Sequence, residues 1–271
     1  MTERRRARLT VAYHGAGFHG FAANPGVRTV MGELTAAIAR IVRVPADELV
    51  LTGAGRTDAG VHAWGQVVSG DLPAATDLDD LARRVNKLCA PGIAVRAAEW
   101  AAADFDARFS ATWRQYRYRI WNHAAPNPLL TDTLWHVARP LDLDAMRLAA
   151  TALIGEHDFG AFCRRPVADP PVSLVRLLYE FDLDDADAPL LAFTVRGSAF
   201  CHQQVRSMVG TLVDVGLGRI AADAVAGILA GRDRQHAGQV APPDGLVLWA
   251  VGYDGARWDA PAPLRTGPPR P

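Results

Sequence analysis

A single carboxylate, Asp58, lies in the glycine- and alanine-rich stretch GAGRTDAGVHAWGQV over residues 53–67. Glycines let the backbone turn sharply and let another molecule approach it closely. Arg56, two residues before the acid, could pair with it and keep it ionised in a dry pocket. An ionised, desolvated carboxylate is what nucleophilic catalysis at a sugar carbon requires. The alternative is an ordinary turn in which Asp58 caps a helix that begins at Ala59.

Two further residues have types and positions suited to such a site. Tyr116 lies in a predicted strand over 114–122 and shares one face of it with Arg114. The simplest interpretation of Tyr116 is a core residue with a satisfied hydroxyl. Arg206 lies on a predicted helix among apolar neighbours, so its guanidinium should be partly buried and needs an anion. The alternative is that Arg206 lies on an exposed face of that helix.

The elements that would position these residues fall into two sets of mixed strands and helices. Hydrophobic periodicity predicts strands over 9–13, 49–53, 66–71 and 93–100, then over 114–122, 174–183, 190–197 and 247–253. It predicts helices over 30–43, 78–88, 143–154, 199–216 and 221–230. Because both sets mix the two element types in similar proportions, we expect two related α/β halves that share a sheet.

The chain therefore divides into three predicted segments. The N-terminal half, residues 1–105, carries the Asp58 loop, and the C-terminal half covers residues 106–254. The tail over 255–271 is rich in proline and glycine and lacks periodicity, which predicts disorder.

The composition limits the class of protein. Basic and acidic residues balance at 29 each, and Lys87 is the only lysine. This balance argues against a chain coated in positive charge, although a local basic cleft remains compatible with it. The arginine run over 4–8 is one candidate basic patch. Without an apolar segment long enough for a membrane span or a signal peptide, the sequence predicts a soluble cytoplasmic protein.

Two common kinds of cofactor site are disfavoured by spacing. The string GAGFHG over 15–20 fits the dinucleotide-binding pattern, but a turn at Pro25-Gly26 follows it where a helix is required. We therefore expect a loop and no nucleotide cofactor. The eight histidines show no H-x-x-x-H spacing, and the three cysteines form no C-x-x-C pair, so we expect no metal site.

The complete string over 55–67, GRTDAGVHAWGQV, resembles the signature of the tRNA pseudouridine synthase A family, G-R-T-D-x-G-V-H-x-x-G-Q-V. The resemblance extends from about Leu9 to Tyr253. It includes FDARFSAT over 105–112, YRY over 116–118, GEHDF over 155–159 and AFCHQQVR over 199–206.

The resemblance implies a reaction and roles for several residues. Such enzymes break the bond from ribose C1′ to uracil N1, turn the base and join C1′ to C5, with no metal or organic cofactor. It implies that Asp58 is the nucleophile and that Arg206 pairs with Asp58. It further implies that Arg56 helps to hold the displaced base and that Tyr116 lies against the target base.

The resemblance also implies a fold, a substrate and an assembly. The fold is the α+β pseudouridine synthase fold, with two similar halves whose antiparallel sheets join around a central active-site cleft. The substrate is the anticodon stem-loop of tRNA at positions 38 to 40, bound by a homodimer. Basic residues at the cleft would contact phosphates, and the candidates are Arg56, Arg108, Arg114, Arg164 and Arg165.

Two segments depart from the family pattern and keep alternatives open. The first loop has His14-Gly15 and then Gly20-Phe21, where the family commonly has an acid, a tryptophan and a glutamine. The segment 164–173 contains three prolines where the family has a more polar loop. The same chemistry on another RNA or on a small uridine nucleotide is therefore one alternative. A non-catalytic RNA-binding chaperone is another, and the trio of Asp58, Tyr116 and Arg206 argues against it.

Overall fold

The computed structural model describes residues 3–164 and 172–253, and the architecture below is that of these residues. The strands are β1 (Arg4–Tyr13), β2 (Leu51–Gly53), β3 (His62–Pro73), β4 (Ile93–Trp100), β5 (Trp113–Trp121), β6 (Trp135–His136), β7 (Gly155–Asp158), β8 (Val175–Asp187), β9 (Leu190–Gly197) and β10 (Leu246–Gly252). The helices are α1 (Val30–Val42), α2 (Leu78–Cys89), α3 (Leu143–Thr151), α4 (Gln204–Gly216) and α5 (Ala224–Gly231). The predicted α+β class is confirmed.

All ten strands of this part of the chain belong to one sheet, in the order β4-β1-β3-β10-β5-β9-β8-β7. The short strands β2 and β6 pair with β3 and β5 at the side of this path. The last strand, β10, runs parallel to β3 and antiparallel to β5, so it joins the two predicted sets of strands. The expectation of a shared sheet is confirmed, whereas a boundary at residue 105 stays a prediction.

One continuous apolar core runs through both sets of elements. It includes Leu9 and Val11 of β1, Ile38 of α1 and Met208 of α4, all of them almost fully buried. Local sequence sets the helix ends. Thr29 caps α1 by accepting a hydrogen bond from the Gly32 amide, as small polar residues do at helix N-termini.

One difference from the predicted elements changes the candidate site, and it is at the start of α4. The apolar pattern predicts a helix from residue 199, but α4 begins at Gln204. Gln203 has a φ of 64°, a left-handed conformation that a regular helix does not contain. Residues 199–203 therefore form a loop, and His202 is placed by this loop instead of by a helical turn.

The N-terminal arginine run is not a free basic patch. Three of the four arginines of β1 each form an ion pair with an acid from another element, which cancels much of the charge of the run. The pairs are Arg4–Glu48, Arg6–Asp71 and Arg8–Glu99. In residues 3–164 and 172–253, no helix is long and apolar enough to cross a membrane.

Candidate active site

The catalytic-type loop lies between β2 and β3, with Asp58 in a tight turn. The Val61 amide donates to the Asp58 carbonyl at 3.2 Å. Gly60 has a φ of +82°, and a Cβ there would lie 2.8 Å from Pro243 Cγ, so both backbone and space require glycine. No helix begins at Ala59, so the helix-capping alternative for Asp58 is wrong.

Asp58 has two cationic or potentially cationic partners, one on each oxygen. Arg206 Nη1 lies 2.7 Å from Asp58 Oδ2, and His202 Nε2 lies 3.2 Å from Asp58 Oδ1. The Asp58 side chain is 23% exposed and the Arg206 side chain 13%. A charge-assisted hydrogen bond in such a confined place fixes the orientation of the carboxylate. The predicted Arg206–Asp58 ion pair is therefore present.

The guanidinium of Arg206 is itself held on its other side. Its Nε donates to the Ala241 carbonyl at 2.7 Å, and the Ala241 amide donates back to the Arg206 carbonyl at 3.1 Å. A Cβ at Gly210, one turn later on α4, would overlap the Gln239 carbonyl. The segment 239–241 thus lies close against α4, and it holds Arg206 between the Ala241 carbonyl and Asp58.

His202 is a site residue that the sequence argument missed. The helix predicted over 199–216 places it one turn before Arg206 on the same face, but the sequence argument gave it no role beside the acid. In the structure its loop is tied down by two hydrogen bonds: the Cys201 amide donates to Gln204 Oε1 at 2.8 Å, and the Arg164 amide donates to the His202 carbonyl at 3.0 Å. The only available signal was the motif AFCHQQVR itself.

Tyr116 provides a buried aromatic surface beside Asp58. It is 8% exposed, and its ring meets the Phe200 ring edge-on at a centroid distance of 5.1 Å. Burial raises the pKa of Tyr116 to about 12, with Arg114 lowering it and the Asp58 charge raising it. The phenol is therefore neutral at neutral pH. Tyr118 is fully buried in the core, and its hydroxyl donates to the Pro242 carbonyl at 2.8 Å.

Comparison with known proteins identifies the family. Residues 149–254 match the family model described as tRNA pseudouridine synthase. The chain is 42% identical to tRNA pseudouridine synthase A of Cutibacterium acnes, over 92% of this chain and 88% of that one. It is 39% identical to that of Bacillus subtilis and 44% to that of Rhodopseudomonas palustris, each over 92% of this chain and 99% of the relative. The chain belongs to the tRNA pseudouridine synthase A family. It is thus a pseudouridine synthase, an isomerase.

Within this pseudouridine synthase, Arg114 does not have the predicted place. Its guanidinium is buried and donates to four backbone carbonyls, those of Ala54, Arg108, Ala111 and Ser198. Because four of its five N–H groups donate to these carbonyls and the side chain is buried, Arg114 belongs to the scaffold, and the prediction that it contacts a phosphate is corrected. The residue instead ties the loop before Asp58 to two other loops around β5.

Replacing Arg114 with methionine is expected to lower the free energy of unfolding by about 3 kcal/mol, since four buried carbonyls would lose their donor. Urea denaturation of the two proteins measures this difference. Arg139→Met, at an exposed arginine, is the control and should change stability by less than about 0.5 kcal/mol. Equal stability of Arg114→Met and the unmodified enzyme would contradict the scaffold role.

The other predicted arginines are placed differently from one another. Arg56 is exposed and, within residues 3–164 and 172–253, forms no ion pair with Asp58 or any other acid. Arg108 and Arg164 are also exposed. Arg165 lies outside the described residues, as do most of segment 164–173 and the tail over 255–271. The expected Arg56–Asp58 pair is thus replaced by pairs with Arg206 and His202.

The first loop of this synthase, residues 14–29, packs against the Asp58 loop and does not resemble a dinucleotide site. Residues Gly15–Gly17 form a single 3₁₀ turn, and the next helix begins only at Val30. The Gly15 amide donates to His62 Nδ1 at 3.0 Å, and the Phe21 amide donates to the Thr57 carbonyl at 3.1 Å. The loop therefore supports the backbone on both sides of Asp58.

His62 makes this support sensitive to pH. Burial, with the nearby His14 and Arg119, lowers the pKa of His62 to about 4. As the pH falls, His62 is therefore protonated in the unfolded chain before it is protonated in the folded protein. Stability is complete above about pH 6.5 and is lost as pH falls towards 4. We expect the unmodified enzyme to lose about 2 to 3 kcal/mol more than His62→Asn between pH 7 and pH 4.5. Equal losses in urea denaturation would contradict a buried neutral His62.

The titratable groups do not assemble into a metal site in the part of the chain that the structure describes, where no three His, Cys, Asp or Glu side chains cluster suitably. The three cysteines carry free thiols; Cys89 and Cys163 are buried, and Cys201 is partly buried.

Proposed function

We propose that this enzyme converts uridine to pseudouridine in the anticodon stem-loop of tRNA, at positions 38 to 40. The observation that carries the proposal is Asp58, held by Arg206 at 2.7 Å in a partly buried position next to the neutral phenol of Tyr116. The relatives at 39–44% identity bear the name tRNA pseudouridine synthase A. Binding alone does not require such a trio, which argues against a pure RNA chaperone.

The reaction needs one nucleophile and a site that holds a displaced base. The target uridine first leaves its stack, at a cost of a few kcal/mol. With Asp58 as nucleophile the C1′–N1 bond breaks, the uracil turns in place, and a bond from C1′ to C5 forms. The proton on C5 is lost and N1 ends up protonated, so substrate and product are isomers and no second reactant is consumed. Whether Asp58 first attacks the sugar or the base does not alter this balance.

The surrounding residues have separate proposed roles. Arg206 fixes the orientation of the Asp58 carboxylate, because its guanidinium is bound to Asp58 on one side and to the Ala241 carbonyl on the other. Tyr116 packs against the target base, and Arg56, exposed two residues before Asp58, holds the displaced uracil. The exposed Arg108 and Arg164 contact phosphates of the stem-loop.

We further propose that the enzyme acts in the cytoplasm as a homodimer. Each subunit would consist of two α/β halves, residues 1–105 and 106–254. The family resemblance supports this assembly. Light scattering of the purified chain at micromolar concentration should give twice the mass of 29.1 kDa; the monomer mass would contradict the dimer.

The substrate class is tested by comparing unmodified tRNA with uridine monophosphate under identical conditions. We expect turnover of tRNA only, with affinity falling steeply as salt rises, because several phosphate contacts release counterions. Turnover of the mononucleotide with a flat salt dependence would favour the small-nucleotide alternative. Tight tRNA binding without any product would favour the chaperone alternative.

A further inference from the structure

Phe109 has an unusual position for a phenylalanine. It is 80% exposed, and no other phenylalanine, tyrosine or tryptophan in residues 3–164 and 172–253 is exposed. A single exposed apolar residue often has no significance. Phe109 differs because the turn that carries it is held by several hydrogen bonds, both within the turn and to the sheet.

Asp106 organises this turn. Its Oδ1 accepts hydrogen bonds from the amides of Arg108 and Phe109, each at 2.8 Å. The Asp106 amide donates to Ser110 Oγ at 3.0 Å, and the Ser110 amide donates back to the Asp106 carbonyl at 3.0 Å. Four short hydrogen bonds within five residues leave the backbone little freedom, so the direction in which Phe109 projects is fixed.

The turn is also fixed to the rest of the protein. The Ala107 amide donates to Ser69 Oγ of β3 at 3.0 Å, and the Tyr253 hydroxyl donates to the Ala107 carbonyl at 2.7 Å. Ala107 itself is completely buried. The turn is therefore attached to the sheet by its second residue, Ala107, and the next two side chains, Arg108 and Phe109, are exposed to solvent.

One guanidinium connects this turn to the active site. Arg114 Nη2 donates to the Arg108 carbonyl at 2.7 Å and to the Ala54 carbonyl at 3.1 Å. Ala54 lies four residues before Asp58 in the same loop, and Gly55 follows it beside the Tyr116 hydroxyl. Because a single planar group binds both carbonyls, the exposed turn keeps a constant position relative to the loop that carries Asp58.

The two exposed side chains of the turn have complementary chemistry. The Arg108 guanidinium carbon lies 5.3 Å from the centre of the Phe109 ring, and no ion pair occupies Arg108 within the described residues. An aromatic face beside an unpaired cation suits a nucleotide, whose base stacks while its phosphate meets the charge. We propose that Phe109 is a stacking platform for an unpaired base of the RNA substrate, with Arg108 on the adjoining phosphate. This inference rests on the proposed function.

The test compares three substitutions at Phe109 with a matched control. Phe109→Ala and Phe109→Leu remove the aromatic face, and Phe109→Trp keeps it. Leu148→Ala removes another exposed apolar side chain, 62% exposed on α3. Affinity for an unmodified tRNA is measured by filter binding, and the single-turnover rate of pseudouridine formation is measured at saturating enzyme. Thermal unfolding verifies that each variant is folded.

We expect Phe109→Ala and Phe109→Leu to bind tRNA about 5- to 100-fold more weakly, as loss of one stacked base implies. Phe109→Trp and Leu148→Ala should stay within about 3-fold of the unmodified enzyme. The single-turnover rate at saturation should change far less than the affinity, because Phe109 does not touch the reacting atoms. If Phe109 had only a structural role, Phe109→Trp would not keep the affinity for tRNA.

A photochemical readout identifies the nucleotide concerned. In tRNA transcripts that carry 5-iodouridine, irradiation should crosslink one unpaired position to Phe109, detected as a modified peptide over residues 105–112. Normal affinity of Phe109→Ala and Phe109→Leu, or equal loss in Phe109→Trp, would overturn the platform. If the unmodified enzyme forms no pseudouridine in tRNA at all, the proposed function fails instead, and the two failures are thereby distinguished.

Discussion

Replacing Asp58 with asparagine is expected to reduce the rate of pseudouridine formation by at least about 10⁴-fold, the order seen when an essential catalytic side chain is removed. The amide keeps the size and shape of the carboxylate but lacks its charge and nucleophilic oxygen. Arg206 and His202 would still surround the position, so the change isolates the chemistry from the packing. The measurement is the single-turnover rate on unmodified tRNA at saturating enzyme.

The affinity of Asp58→Asn for tRNA should stay equal to that of the unmodified enzyme or increase. The substitution removes one negative charge from a site that receives a polyanion. Asp79→Asn, on the exposed first turn of α2, is the matched control and should leave both rate and affinity unchanged. A rate for Asp58→Asn within tenfold of the unmodified enzyme would rule out Asp58 as the nucleophile.

Replacing Arg206 with methionine is expected to lower kcat by about 10²- to 10³-fold, the range seen when one preorganised hydrogen-bond donor is removed. KM should change by less than about threefold, because the Arg206 side chain packs against Asp58 and is only 13% exposed. Without the guanidinium, Asp58 keeps only His202 on its other oxygen and is free to rotate. Steady-state kinetics on tRNA separates the two parameters.

Lysine is not expected to replace Arg206 well. A lysine has one nitrogen, whereas Arg206 uses Nε on the Ala241 carbonyl and Nη1 on Asp58, so about a tenfold loss should remain. Arg219 provides the matched control because it forms a pair of the same length, 2.7 Å, with Asp214 at the far end of α4. Arg219→Lys should keep full activity. Full activity of Arg206→Lys and Arg206→Met would contradict the positioning role.

The pattern of apolar residues predicted most of the sheet and the position of Arg206. The strand predicted over 93–100 coincides with β4 (Ile93–Trp100), and α1 ends one residue before its predicted end. These elements follow local periodicity, which sequence reports directly. Arg206 was predictable for a related reason: apolar neighbours on a helix imply burial, and a buried guanidinium needs an anion.

Two features of the site depend on long-range geometry that local patterns do not contain. Strand alternation places Arg114 on the Tyr116 face, but its four carbonyl partners come from loops as distant in sequence as Ala54 and Ser198. The left-handed conformation of Gln203, which places His202 in a loop, could not be predicted either, because glutamine rarely adopts that conformation. The exposure of Phe109 likewise follows from how its turn is mounted on β3.

The most direct test of the account is to map pseudouridine at every uridine of an unmodified tRNA after incubation with the purified enzyme. We expect conversion at positions 38 to 40, none elsewhere, and none at any position with Asp58→Asn. Conversion that persists in Asp58→Asn, or no conversion by the unmodified enzyme, would contradict the assignment of this site and its substrate.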